Sequence, residues 1–148
     1  MAFKISSVYK SLVRHVVDTV DTIKLEGISP DLTYYAFDSR GEQAELETVD
    51  LIGLAGWSFN ENRGLWVIRA GINISTINDE NLMREIEIID ALHDVFGEDC
   101  VIPLRDPVTG NEYTQLVVKE FELMPASYSE KRNYRPIGLE LLRTSNDG

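Results

Sequence analysis

The strongest constraint in this sequence is the run Leu65–Ser75. There Trp66, Ile68, Ala70, Ile72 and Ile74 alternate with Val67, Arg69, Gly71, Asn73 and Ser75. A period of two belongs to a β-strand with one face buried and the other wetted. A partner strand is at hand, because Trp57-Ser58-Phe59 precedes the run across Asn60–Gly64, a turn-rich loop of hairpin length. The chain must therefore build a sheet, and the other segments are read as what extends or covers it.

Ser6 or Ser7 can cap a helix whose apolar residues fall at Val8, Leu12, Val13, Val16, Val17, Val20 and Ile23. This spacing of 3 and 4 makes one buried stripe, with Asp18 and Asp21 on the far side. Gly27 offers the left-handed position that ends the helix. Its many β-branched residues mean that tertiary packing must supply most of its stability. Leu32–Phe37 reads as a strand, broken by Ser39-Arg40-Gly41, and Val49–Leu54 as a short apolar strand. A second helix starts at Asn78 or Asp79, both good caps, and stops at Gly97. Its stripe is Leu82, Ile86, Ile89, Leu92 and Phe96, widened by Ile88 and Val95. Strands Cys100–Leu104 and Tyr113–Met124 flank the turn Asp106–Asn111 and make a second hairpin. A polar loop, Pro125–Asn133, leads to the last strand, Ile137–Arg143, and residues 144–148 are expected to be a disordered tail. The order predicts an α+β fold, one domain over residues 1–148, with a mostly antiparallel sheet and two helices packed on one face.

Composition narrows the function classes. No apolar run approaches the roughly 18–20 residues of a membrane span, and Lys4, Lys10 and Arg14 interrupt the N-terminal apolar residues, unlike a signal-peptide core. The single cysteine, Cys100, can form no intrachain disulfide, and two separated histidines supply no structural zinc set. A net charge of −11 repels the nucleic-acid backbone, whose non-specific affinity comes from Lys and Arg. The charge is also uneven. Glu26, Asp31, Asp38, Glu42, Glu45, Glu47 and Asp50 face only Arg40, whereas residues 1–25 hold Lys4, Lys10, Arg14 and Lys24 against Asp18 and Asp21. Complementary faces in a homo-oligomer would produce this pattern; a solvated acidic loop, the commoner case, would produce it too.

Templates for chemistry fit poorly. Cys100 lies seven residues after His93, but thiol catalysis needs a base within hydrogen-bond reach and a lowered thiol pKa. Nearby acids push the other way, so a small strand residue and a histidine at the stripe edge are the better reading. Glu85, Glu87, Asp90 and Asp94 fall on or near the polar side of the second helix, where solvated carboxylates are ordinary. Gly53-Leu54-Ala55-Gly56 lacks the lysine of a phosphate loop, and the Asp106–Asn111 turn lacks calcium-loop spacing. Neither an enzyme nor a cofactor is expected. Trp57 and Trp66 come from opposite arms of one hairpin and can pair across it, with Trp66 the core residue by parity. The bases of the loop Ser127–Arg135 can meet an acidic patch on a neighbouring copy or form an ordinary exposed connection. The first option nominates Lys131, Arg132 and Arg135 against Arg40, Glu42, Glu45 and Glu47 as a subunit interface.

The order of parts carries a resemblance. An N-terminal amphipathic helix is followed by a long central strand, Leu65–Ser75, and an Asn/Asp-rich turn, Asn78–Asn81. An acidic-apolar helix, Leu82–Phe96, comes next, and a last strand, Ile137–Arg143, runs almost to the C-terminus. In this the chain resembles the tail terminator proteins of tailed bacteriophages, small α/β subunits that form a hexameric ring on the last tube ring and stop tail growth. The resemblance implies a virion protein, assembled in the host cytoplasm, at the head-proximal end of the tail. Its implied partners are copies of itself, the tail tube protein and a neck or head-completion protein. DNA would pass through without specific binding, past an acidic lumen, and no membrane is implied. Gly41–Gly56 and Pro125–Asn133 have no counterpart, and the resemblance assigns no individual residue a role. Head–tail stopper and completion proteins, and a small Cys-dependent enzyme, stand as alternatives.

Overall fold

The computed structural model describes residues 5–35, 49–106, 108–128 and 132–143, with only the backbone of Tyr113. The first helix, α1 (Ile5–Leu25), buries Val8, Leu12, Val16, Val20 and Ile23, while Val13 and Val17 are half-buried. The short strand β1 (Thr33–Tyr34) follows. Next comes the long hairpin β2 (Leu51–Asn62) and β3 (Leu65–Ile77). Its turn is Arg63-Gly64, both at positive φ (54° and 82°), the conformation whose twist matches that of the flanking strands. A single 3-10 turn, Glu80–Leu82, leads into α2 (Met83–Phe96). The chain closes with β4 (Val101–Arg105), β5 (Glu112–Leu123), the two-residue β6 (Ser127–Tyr128) and β7 (Arg132–Arg143).

The class is α+β, but the sheet is mixed. Its order is β1-β2-β3-β7-β5-β4, with β6 paired to the start of β7. β1 runs parallel to β2 through Thr33↔Leu51 and Tyr34↔Ile52, where a mostly antiparallel sheet was expected. A parallel neighbour requires a crossover between its two strands. Between Tyr34 and Leu51 most residues lie outside the described ones, and no hairpin signal in the sequence marks a parallel pair.

α1 packs against β1 and β2 at one end of the strand order and against β4 at the other, so the sheet curls around the helix. α2 lies beside α1 and touches β3, β4 and β5. One core results, in which Trp66, Ile68, Ala70, Ile72 and Ile74 of β3 meet Leu12, Val16, Leu92 and Phe96 of the helices. The parity expected for β3 is the parity found.

Several boundaries differ from expectation for identifiable reasons. The two segments Val49–Leu54 and Trp57–Phe59 are one strand, β2, interrupted by a register shift between Leu54 and Gly56. Such a bulge breaks period-two reading without ending a strand. The last strand begins at Arg132, because β7 follows β3 down to the pair Ile77↔Arg132. Trp57 and Trp66 are not partners: Trp57 stands opposite Ala70 and contacts Tyr9 at 5.5 Å, while Trp66 stands opposite Glu61. Trp66 contacts Phe59 edge-on, and the Arg143 guanidinium lies 4.3 Å from its ring centre. Ala36 and Phe37, expected to extend β1, and the tail 144–148 fall outside the described residues.

Candidate functional site

Three places concentrate polar groups or unpartnered apolar surface. The first is a buried polar corner where β3 ends and β2 and β7 begin. Asp50 is its hub. Ser29 Oγ donates to Asp50 Oδ2 at 2.7 Å, the Ile77 N–H to Oδ1 at 3.0 Å, and Arg84 to both oxygens, from Nε at 2.9 Å and Nη2 at 3.2 Å. Arg84 Nη2 also donates to the Ile77 carbonyl. Burial would raise the Asp50 pKa, but the bonds from Arg84, Ser29 and Ile77 outweigh it and hold the carboxyl below its ordinary range. The bond to Asp50 in turn raises the Arg84 pKa.

Asp79 ties the helix to this corner. Its carboxylate accepts the N–H groups of Arg84 and Glu85, each at 2.9 Å, across a turn in which Asn81 and Leu82 are left-handed. This satisfies orphan donors of the first turn of α2, so the expected cap residue works from outside the helix. Starting the helix at Met83 rotates its buried stripe to Glu85, Ile88, Leu92 and Phe96 and leaves Ile86 exposed. Glu85, expected in solvent, is 1% exposed and meets Arg135 Nε at 3.2 Å. Arg135 Nη1 also donates to the Met124 carbonyl at 2.9 Å. Arg132, 7% exposed, donates to Ser75 Oγ at 2.9 Å and to the Val49 carbonyl at 2.7 Å.

Two of the nominated interface residues, Arg132 and Arg135, are thus engaged inside the subunit. The others, Arg40, Glu42, Glu45, Glu47 and Lys131, lie outside the described residues. Both oxygens of Asp50 and of Asp79 are occupied by protein donors, so the corner can lock β2, β3, β7 and α2 together. The Cys100 thiol donates to the Asp94 carbonyl at 3.6 Å, and the His93 ring rests edge-on against Phe121 at 5.1 Å. No group of 3 or more His, Cys, Asp or Glu among the described residues is placed to hold a metal ion.

The second place is a groove of about 730 Å³ between α1 and β4, lined by Lys10, Arg14, His15, Asp18, Arg105 and Asp106 among others. Ser11 pins its floor, accepting the Arg105 N–H at 3.0 Å. The groove joins residues far apart in the sequence, which is why the N-terminal bases alone did not reveal it.

The third place is the outer face of the sheet. Val67, Leu142 and Val117 are register partners across β3, β7 and β5, and Val101 continues the row on β4. The first three are half-buried and Val101 is 47% exposed; Leu65, two residues from Val67 on the same face, is 48% exposed. Period two marks each of these residues as outward-facing, but only pairing aligns them into a row.

No helix among the described residues is long and apolar enough to cross a membrane. Neither a family model nor a curated protein matches the chain.

Proposed function

We propose that this chain is a structural subunit of a tailed-phage virion. It forms a ring at the head-proximal end of the tail, ends tube polymerisation and joins the tail to the neck. Its partners are further copies of itself, in a homohexamer, the tail tube protein and a neck or head-completion protein. DNA traverses the ring without specific binding, and no enzymatic step is involved.

The observation that supports an assembling role is the apolar row Val67, Leu142, Val117 and Val101 on the outer sheet face. A solvated face normally alternates polar residues with the buried set. An apolar row across four adjacent strands is instead the kind of surface that another chain covers. The choice of a terminator within the assembling class rests on the order of elements: an amphipathic first helix, a long β3, the Asn/Asp turn, α2 and a final β7.

The test is tube growth. Tail tube protein from the same phage is polymerised with and without this protein, and tube length and tube ends are imaged by negative-stain microscopy. The expected result is a ring on one end and arrested elongation, with both effects lost in Val117→Lys/Leu142→Lys. Tubes that keep growing with bare ends in the presence of the wild-type chain would refute the terminator role.

A further inference from the structure

On a chain of net charge −11, a place that gathers several cations is informative. Arg84 and Arg135 are bound to Asp50 and Glu85, Arg132 is buried, and Arg69 pairs with Glu140 at 3.0 Å. Lys24, Arg63 and Lys119 are exposed elsewhere, whereas Lys10, Arg14 and Arg105 line one groove, with His15, between α1 and β4. The two acids of that groove are occupied. Asp18 meets Arg14 Nε at 3.2 Å, and Asp106 Oδ1 accepts the N–H groups of Val108 at 2.8 Å and Thr109 at 3.4 Å. Lys10 has no side-chain partner among the described residues, and Arg105 reaches only the Gly110 carbonyl, at 3.3 Å. The groove is also preformed. Ser11 clamps the Arg105 backbone at a register shift between Leu104 and Arg105, the type of irregularity that re-aims a side chain.

The complementary surface is on the same molecule. Glu87, Asp90 and Asp94 are exposed on α2 at spacings of 3 and 4, which places them on one helix face. Exposed Glu98 and Asp99 extend that charge beyond the helix end. Arg84 of α2 is held in the polar corner by Asp50, and the exposed His93 is the helix's other basic side chain.

We propose that the groove of one copy receives the acidic outer face of α2 from a second copy. The inference rests on the assembling role above and adds the contact that joins neighbouring copies. Where a groove takes a neighbour's helix face without the reciprocal contact, the interface is heterologous, and repetition closes a ring where the rotation permits. Nucleic acid is a poorer occupant, since the remaining negative charge repels phosphate at a distance.

Charge reversal tests this pairing. Lys10→Glu/Arg105→Glu makes the groove acidic, and Asp90→Lys/Asp94→Lys makes the helix face basic. All four residues are exposed, so thermal melts should match the wild type. In sedimentation velocity each variant alone should need more than ten times the wild-type concentration to assemble. An equimolar mixture should recover assembly, because every groove then meets a helix face of opposite sign in an alternating ring. The proposal is overturned if both variants assemble like the wild type, or if both fail and the mixture fails as well. A wild-type chain that assembles under no condition, tubes included, would instead defeat the assembling role itself.

Discussion

The polar corner and the α1–β4 groove use the same residue types to opposite ends. In the corner, Arg84, Arg132 and Arg135 turn inward, and each donates to groups belonging to other elements of the subunit. In the groove, Lys10, Arg14 and Arg105 are exposed, Arg14 pairing with the exposed Asp18 and Arg105 donating to the Gly110 carbonyl. Burial decides the difference. A buried charge must be matched by its own chain, because removing one partner strands the other in a low dielectric. An exposed charge adds little to folding and remains available to steer and orient a partner. The corner therefore belongs to the fold, and the groove is the surface we propose for assembly.

The largest expected effect lies in the corner. Asp50→Ala removes the acceptor for Ser29, Ile77 and Arg84 together, and urea unfolding should show a loss of about 3–5 kcal/mol. Arg105→Ala should stay within about 0.5 kcal/mol of the wild type. Equal losses would erase the contrast between the two regions.

Next is Gly53→Ala. A Cβ at Gly53 would stand 1.9 Å from the Tyr35 carbonyl oxygen, so β1 would have to shift from the β2 edge. Gly138 has nothing within 4 Å of such an atom. Gly53→Ala should destabilise by about 1–3 kcal/mol, as overpacking does, with Gly138→Ala the milder control. Thermal melts of the pair compare them directly.

Acid should separate the regions by pH. Burial holds the His15 imidazole below its ordinary 6.5, against the opposing effects of Asp18 and the Val95 backbone. The unfolded chain then binds the proton more readily, so stability begins to fall as the pH drops below 6.5. The Asp50 carboxyl is depressed below 3.8, so its contribution is complete above that pH and lost as the pH falls through its folded value. Urea midpoints against pH should show two declines. His15→Gln should remove the first and Asp50→Asn the second; a profile that neither variant alters would contradict both assignments.

The elements read from the sequence are those whose burial is one-sided. β3 alternates cleanly, and α1 keeps an apolar stripe, so their faces were legible from period alone. β2 was harder because the register shift between Leu54 and Gly56 resets its alternation. α2 was legible as a helix but not in phase: Glu85 occupies a buried position, where Arg135 of β7 reaches one of its oxygens. The same long-range pairing hid the inward roles of Arg132 and Arg135, which look like exposed loop bases in isolation. Of the corner, only Asp79 announced itself, as a helix cap. Of the groove, Lys10 and Arg14 were visible as helix bases, whereas Arg105 joins them only through the packing of β4 on α1.

Native mass spectrometry of the purified chain over rising concentration, with and without short tail tubes, tests the assembling role most directly. We expect a six-copy species, promoted by tubes and dispersed by salt as its charged contacts are screened. A single-copy species throughout, with tubes left undecorated, would contradict it.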